Sequence, residues 1–216
     1  MATAHAQSPH WTTLSRAALC VTEGALEQGR GQGLSVDVPK MRAYANQVTA
    51  EAAQLRFTYL GPSATTSALA SGASRVQFGL KLRAADPCNL VYVMWRVEPE
   101  SRLVVSIKSN AGQHASSQCG NRGYQNIRPT LSAPIPRLGP GQSHVLSATL
   151  SDDALRAFVD ERLIWQGELG PLASGLHGPA GVRTDNAHLN FQLAVDSAAA
   201  PSAPVPACRT GLQESD

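Results

Sequence analysis

The sequence predicts an all-β protein, built as a sandwich or a barrel. Several segments in the middle of the chain alternate apolar and polar residues, and this period of two turns one side of a strand inward and the other outward. The chain also contains 18 Gly and 14 Pro, while charged residues make up only 16% of its 216 residues. Sparse charge with many turn formers is typical of loop-rich β proteins rather than of helical bundles. No segment shows a convincing 3.6-residue period, so we expect about a dozen short strands.

The clearest alternation covers residues 75–83, and the segments 55–59 and 188–195 repeat it. Residues 90–97 are apolar on both faces, which indicates a strand in the middle of a sheet. The turn-forming quartet Glu98–Ser101 follows, and together with residues 102–108 it predicts a hairpin. A second hairpin is expected from 155–159 to 163–167, and further strands are expected near Leu34–Val38, Met41–Tyr44, Val145–Leu150 and Ala180–Thr184.

These strands define one domain with two tails. We expect residues 1–18 to form a flexible N-terminal tail, residues 19–196 the β domain, and residues 197–216 an Ala/Pro/Ser-rich C-terminal tail. Neither terminal segment has the apolar periodicity needed to join a core. Within the domain, Ser109 to Ser143 has few strand features and is predicted to be a long ordered loop, a kind of segment that often carries function.

Composition excludes several classes of partner. The 18 basic and 16 acidic residues give a net charge of only +2, so charge gives no reason to expect nucleic acid. No apolar run approaches the roughly 20 residues that span a bilayer, which predicts no membrane insertion. Ala4–Ala6 has the small-x-small form of a leader cleavage site, but no apolar segment precedes it. A missing leader, another route of export and a cytosolic location therefore stay open.

The four cysteines predict two disulfides. Cys88 precedes the first strand of the 90–108 hairpin and Cys119 follows its second strand, so a Cys88–Cys119 bridge would tie the long loop to the sheet. Cys20 and Cys208 lie near the two ends of the domain, which are often close in space, and form the second expected pair. Two disulfides favour an oxidising compartment. The alternative is four free thiols buried as small hydrophobes.

Seven segments of the chain follow one another in an order typical of a known superfamily. They are Gly33–Val36, Phe78–Arg83, Asn89–Tyr92, His144–Leu146, Leu155–Asp160, Ile164–Gly167 and Gly178–Asn186. Their order resembles the concanavalin A-like lectin/glucanase superfamily, and especially its laminin-G-like members. The resemblance spans residues 19–195 and implies a jelly-roll sandwich of two curved antiparallel sheets. That scaffold is shared by lectins, adhesion modules and glycosidases, so the fold alone does not assign a function.

Catalytic and metal sites have little support in the sequence. The Glu-x-Asp-x-x-Glu strand of the superfamily's glucanases, which supplies the paired carboxylates for glycoside hydrolysis, is absent. The nearest carboxylate pair, Glu98 and Glu100, falls in the predicted exposed turn, where nothing raises the pKa of an acid. We therefore expect no catalytic residues. We expect no cofactor either, except that Asp185–Asn186 could supply oxygen ligands to calcium; the alternative is an ordinary turn.

Binding residues are sought on the polar strand faces and in the long loop. Sugar recognition needs planar surfaces together with converging hydrogen-bond donors, and the loop places an amide, a guanidinium and an aromatic ring within four residues. The polar strand faces add Arg75 and Gln77 together with the strand candidates below. An ordinary solvated surface is the alternative for each of these residues, whereas Trp95 and Trp165 are expected in the core. The candidate ligand-binding residues are Lys81, Arg83, Arg96, Lys108, Asn121, Arg122 and Tyr124.

The sequence thus predicts a non-catalytic, extracellular or periplasmic recognition module whose partner is a glycan or an extracellular protein. A lectin-like carbohydrate-binding role is favoured. Two alternatives stay open: a polysaccharide hydrolase or lyase on the same fold, and a structural or protein-adhesion domain.

Overall fold

The structure of the protein is a computed structural model that describes residues 9–29, 31, 33–196 and 208. Strands account for most of this described part, and its helices are one turn long. The strands are β1 (Trp11–Thr13), β2 (Leu19–Glu23), β3 (Glu27–Gln28), β4 (Leu34–Val36), β5 (Lys40–Thr49), β6 (Ala52–Pro62), β7 (Val76–Asp86), β8 (Asn89–Glu98), β9 (Arg102–Lys108), β10 (Tyr124–Asn126), β11 (Leu131–Ser132), β12 (Ser143–Ser151), β13 (Ala154–Val159), β14 (Arg162–Glu168), β15 (Pro179–Asp185) and β16 (Ala187–Asp196). The helices are a 3-10 turn at Arg16–Ala18, α1 (Ser116–Cys119) and α2 (Pro171–Ser174).

The strands form two antiparallel sheets that pack as a sandwich, which confirms the predicted fold class. One sheet has the order β11-β14-β13-β12-β6-β16-β4-β3, with β1 pairing to β16. The other sheet has seven strands in the order β10-β9-β8-β7-β15-β5-β2. Both predicted hairpins are present as β8–β9 and β13–β14.

Alternation along the strands builds the core between the sheets. Phe57 of the first sheet packs edge-on against Phe78 and Trp95 of the second, with ring centroids 4.6 and 5.4 Å away. Trp95 and Trp165 are both buried, as predicted. Fully burying an aromatic or large aliphatic side chain stabilises the folded state by roughly 1.5–3 kcal/mol, so this shared seam holds the two sheets together.

The predicted disulfides both form. Cys88 joins Cys119 across a separation of 31 residues, and Cys20 joins Cys208 across 188. The first bridge holds α1 and the loop after β9 against the start of β8. The second attaches Cys208 to β2.

The chain ends differ in part from the sequence prediction. Trp11–Thr13 pairs with Ala194–Asp196, so the first sheet begins inside the segment predicted as a tail at 1–18. Backbone pairing of a three-residue edge strand leaves no periodicity for a sequence pattern to detect. Residues 1–8 and all of the C-terminal tail except Cys208 lie outside the described residues. In the described part, no helix has the length and apolar character needed to cross a bilayer.

Candidate functional site

A groove with a volume of about 1120 Å³ crosses the outer face of the seven-stranded sheet. The strand pleat creates it: along β8, Trp95 points into the core while Met94 and Arg96 line the groove. The lining is strongly cationic, with seven basic side chains against two acidic ones, although the whole chain carries a net charge of only +2. The basic residues are Lys40, Arg42, Arg75, Lys81, Arg96, Lys108 and Arg183, and the acidic residues are Glu23 and Asp86.

Asp185, at the end of β15, holds one part of this face together. Its carboxylate is fully buried and accepts hydrogen bonds from Arg42 Nη2 at 2.6 Å, Gln77 Nε2 at 2.7 Å and Arg183 Nε at 2.9 Å. The three donors meet there because β5, β7 and β15 are neighbours in the sheet. Arg42 also donates to the Thr184 carbonyl at 2.7 Å. A buried charge is tolerated when it is paired and hydrogen-bonded in this way.

An aromatic stack continues from this cluster towards the sheet edge. The Arg183 guanidinium lies 4.9 Å from the centre of the Tyr92 ring, and its Nη1 donates to the Tyr124 hydroxyl at 3.1 Å. The Tyr92 and Tyr124 rings stack at 5.9 Å with 21° between their planes. Lys108 Nζ lies 5.2 Å from the Tyr124 ring centre. Tyr124 nevertheless remains 39% exposed, so part of a rigidly held ring is open to a ligand.

The charges of the cluster shift the pKa values of its members. Burial alone would raise the pKa of Asp185, but Arg183, Arg42 and the Gln77 hydrogen bond outweigh it and hold that pKa well below its usual range. Burial also acts to raise the pKa of the Tyr124 hydroxyl, but the charges of Arg183 and Lys108 outweigh burial and lower that pKa. The Arg183 pKa is raised despite burial because Asp185 stabilises its charge. Asp185 is therefore ionised and Arg183 charged across the ordinary pH range.

Arg96 marks a different part of the groove. It is only 8% exposed, and its Nε makes no hydrogen bond within the described part of the chain. Its cross-strand neighbours are Gln77 on β7 and Arg102 on β9. Burial lowers the Arg96 pKa, and the positive charges of Arg75 and Arg102 lower it further.

One rim of the groove is formed by the disulfide-anchored loop after β9. Asn89, buried at the start of β8, ties this loop down: its Nδ2 donates to the Gln113 carbonyl at 2.8 Å and its Oδ1 accepts from the Asn110 amide at 2.8 Å. Asp86 lies 2.8 Å from His114 Nδ1. The predicted long loop is therefore ordered, but it also contains α1, β10 and β11.

Five of the seven predicted binding residues line the groove. Two of them, Lys81 and Lys108, are buried apart from a small exposed fraction, and their ammonium groups lie over Tyr44 and Tyr124. Whether these residues bind a ligand stays a prediction. The five are Lys81, Arg96, Lys108, Asn121 and Tyr124.

Arg83 and Arg122 are not part of the groove lining. Arg83 has a φ of +47° and follows Leu82, where the pairing register of β7 with β8 shifts. This break in alternation sends its guanidinium to Glu51 and to the Asp152 and Ala173 carbonyls instead. Arg122 folds back onto the Gln118 and Cys119 carbonyls at the end of α1, which lack helical partners.

Sequence reasoning did not place Arg42, Tyr92 or Arg183 in the site, and it considered Asp185 only as a possible calcium ligand. Arg183 and Asp185 are two residues apart on one strand, a spacing that does predict a shared face. Tyr92 lies in a segment that is apolar on both strand faces, so the sequence pattern did not distinguish it from the core residues. Arg42 joins the cluster through strand order, which no local pattern contains.

The residues considered for catalysis and calcium are engaged in other contacts. Glu98 and Glu100 lie at the exposed β8–β9 turn, where the Glu100 side chain is 71% exposed and pairs with Arg102. Both oxygens of Asp185 accept hydrogen bonds, and the Asn186 amide bonds Ser67 and the Arg75 carbonyl. A calcium ion at this pair would have to displace these donors. Among the described residues, no group of three or more His, Cys, Asp or Glu side chains is placed to hold a metal.

Comparisons with known proteins agree with the architecture. No protein-family model matches the sequence, and neither does any curated protein. Among solved structures, the chain is similar to carbohydrate-binding module CBM66 from Bacillus subtilis, with a TM-score of 0.56, 13% identity, and coverage of 81% of this chain and 91% of that one. It is also similar to the carbohydrate recognition domain of Emp46p, with a TM-score of 0.50, 10% identity, and coverage of 82% and 87%. At these identities the likeness shows a shared fold, an antiparallel β-sandwich of the jelly-roll, concanavalin-like type.

Proposed function

We propose that this protein is a non-catalytic recognition module that binds carbohydrate in the groove of its seven-stranded sheet. The observation that carries the proposal is the cluster of Arg183, Tyr92 and Tyr124, in which a partly exposed ring is fixed beside hydrogen-bond donors. Such a combination of planar surface and positioned polar groups is what sugar recognition requires. The likeness to a domain named as a carbohydrate-binding module supports the proposal.

In this proposal the exposed part of Tyr124 contacts the apolar side of a sugar ring. Asn121 and Asn126, which also line the groove, bond to its hydroxyl groups. Because Tyr124 is fixed by Arg183 and by stacking on Tyr92, little side-chain entropy is lost when a ligand binds. The groove is thus largely pre-formed.

The finer family and cellular assignments belong to the same proposal. The order of strand segments supports membership of the concanavalin A-like lectin/glucanase superfamily, near its laminin-G-like members. The two disulfides support an extracellular or periplasmic site of action, since such bonds persist in oxidising compartments. Calcium is not needed by the proposed mode of binding.

A glycan array followed by titration calorimetry tests the proposal. The Tyr124→Ala variant should weaken binding of the best glycan about tenfold, because the loss of a stacking aromatic corresponds to roughly 0.5–1.5 kcal/mol beyond its buried area. Leu131→Ala is the matched control, since Leu131 is similarly exposed at 41% but lies on the other sheet. If no glycan binds and a protein partner is captured instead, the protein-adhesion alternative replaces this proposal.

A further inference from the structure

We propose that the groove selects acidic glycans, and that Arg96 with Arg75 forms the subsite for a sugar carboxylate or sulfate group. This inference rests on the proposed carbohydrate-binding function and adds the chemical class of the ligand.

The first argument is the state of the Arg96 side chain. The residue is 92% removed from solvent, yet its Nε has no hydrogen-bond partner within the described residues. A buried donor without an acceptor is costly, and the cost is greater when the donor carries charge. Nε itself is covered in this structure, so a ligand acceptor recovers that cost once the Arg96 side chain shifts enough to uncover it.

The second argument is the sign of the charge around Arg96. Its flanking charges are Arg75, which also lines the groove, and Arg102, which faces it across the β8–β9 ladder. Glu100 is the acidic residue that favours the charged form of Arg96, but it pairs with Arg102 at 3.3 Å and is largely exposed. A local excess of positive charge therefore favours an anionic ligand.

The third argument is the contrast with the other groove arginines. Arg42 and Arg183 share the Asp185 carboxylate. Arg96 and Arg75 form no ion pair with a carboxylate in the described part of the protein. A planar guanidinium can donate from Nε and one Nη to two oxygens of one carboxylate or sulfate, which makes Arg96 suited to such a group.

The spacing along β8 gives the minimum length of the ligand. Arg96 and Tyr92 lie on the same face four residues apart, or about 13 Å at the usual strand rise. The Tyr92 ring stacks on the Tyr124 ring. A ligand that contacts both the Arg96 subsite and Tyr124 is therefore an oligosaccharide, with an acidic group at one end of the bound segment.

Matched pairs of glycans test this inference. Oligogalacturonate is compared with its methyl ester, which keeps the sugar skeleton and removes the charge, and a sulfated galactan oligosaccharide is compared with its desulfated form. At low ionic strength the protein should bind at least one acidic member about tenfold more tightly than its neutral partner, since a hydrogen bond to a charged group contributes about 1.5–3 kcal/mol. The pair that shows the preference identifies the anionic group as carboxylate or sulfate.

Arg96→Gln should abolish the preference, because the affinity for the acidic glycan falls to that for its neutral partner. Arg156→Gln is the matched control, because Arg156 is an exposed arginine on the other sheet, and it should keep the preference. Thermal melts of both variants check folding, and Arg96→Lys provides a second variant that retains the charge without the guanidinium geometry and should lose most of the preference.

The outcomes separate the two proposals. Equal binding of acidic and neutral partners, or a preference that survives Arg96→Gln, overturns the acidic subsite and leaves carbohydrate binding intact. If the wild-type protein binds no glycan of either kind, the carbohydrate-binding proposal fails and this inference falls with it. An increase in salt concentration should weaken binding of the acidic glycan and leave binding of the neutral glycan unaffected.

Discussion

Arg183 and Arg96 lie on the same face of the same sheet and are both largely buried, yet their surroundings are opposite. Arg183 has a carboxylate at 2.9 Å, a tyrosine ring beneath it and a phenol oxygen at 3.1 Å. Arg96 has positive neighbours and a buried Nε that makes no hydrogen bond among the residues the structure describes. Burial alone therefore does not determine the role of a cationic residue. A satisfied guanidinium holds the sheet face together, whereas in our proposal the unsatisfied one binds a ligand.

The largest expected effect comes from removing the shared counter-ion of the satisfied cluster. Asp185→Asn leaves Arg42 and Arg183 buried without their carboxylate, and breaking a buried ion pair from one side costs about 3–5 kcal/mol. Urea unfolding at pH 7 should show this loss in the free energy of unfolding. Glu100→Gln is the control, because that exposed carboxylate should change stability by less than about 0.5 kcal/mol. A loss under about 1 kcal/mol in Asp185→Asn would mean that the cluster does not stabilise the fold.

A smaller effect is expected in the pH dependence of the same cluster. The Asp185 pKa is lowered in the folded protein, so its contribution is complete above the usual carboxyl pKa near 4 and is lost as pH falls towards the folded value. The stability difference between wild type and Asp185→Asn should therefore shrink by about 1 kcal/mol between pH 6 and pH 3. Unfolding curves for both proteins at each pH measure it, and other carboxylates cancel in the difference. A constant difference would contradict an ionised, paired Asp185.

The smallest effect, close to zero, is expected at the unsatisfied arginine. Arg96→Met removes a buried charge that forms no ion pair in the described part of the chain, so the free energy of unfolding should fall by less than about 0.5 kcal/mol or should rise. Arg183→Met should instead lose about 3 kcal/mol, because Asp185 and Tyr124 lose a partner. Thermal and urea unfolding of the two variants side by side provide the comparison. Equal losses would show that Arg96 has a structural partner and would remove its distinction from Arg183.

The success and failure of the sequence prediction are visible in two neighbours on β7. Lys81 and Arg83 occupy equivalent positions in the alternating pattern, and both were expected in the binding face. Lys81 lines the groove, but the positive φ at Arg83 interrupts the pleat and directs its side chain to Glu51 and two carbonyls. A sequence pattern records only spacing. The direction of the Arg83 side chain depends on acceptors in three distant segments, at Glu51, Asp152 and Ala173.

By itself, the sequence determined the all-β class, both hairpins and the buried tryptophans, because side chains alternate along a strand and turn residues separate the strands. It also predicted the two disulfide pairs, from where the cysteines lie relative to the first hairpin and to the ends of the domain. Tertiary structure alone decided which cations are neutralised and which are not. Asp185 meets Arg42 and Gln77 only because β5, β7 and β15 are neighbours. Arg96 forms no ion pair within the described strands and loops because the same strand order brings Gln77 and Arg102 beside it in place of a carboxylate.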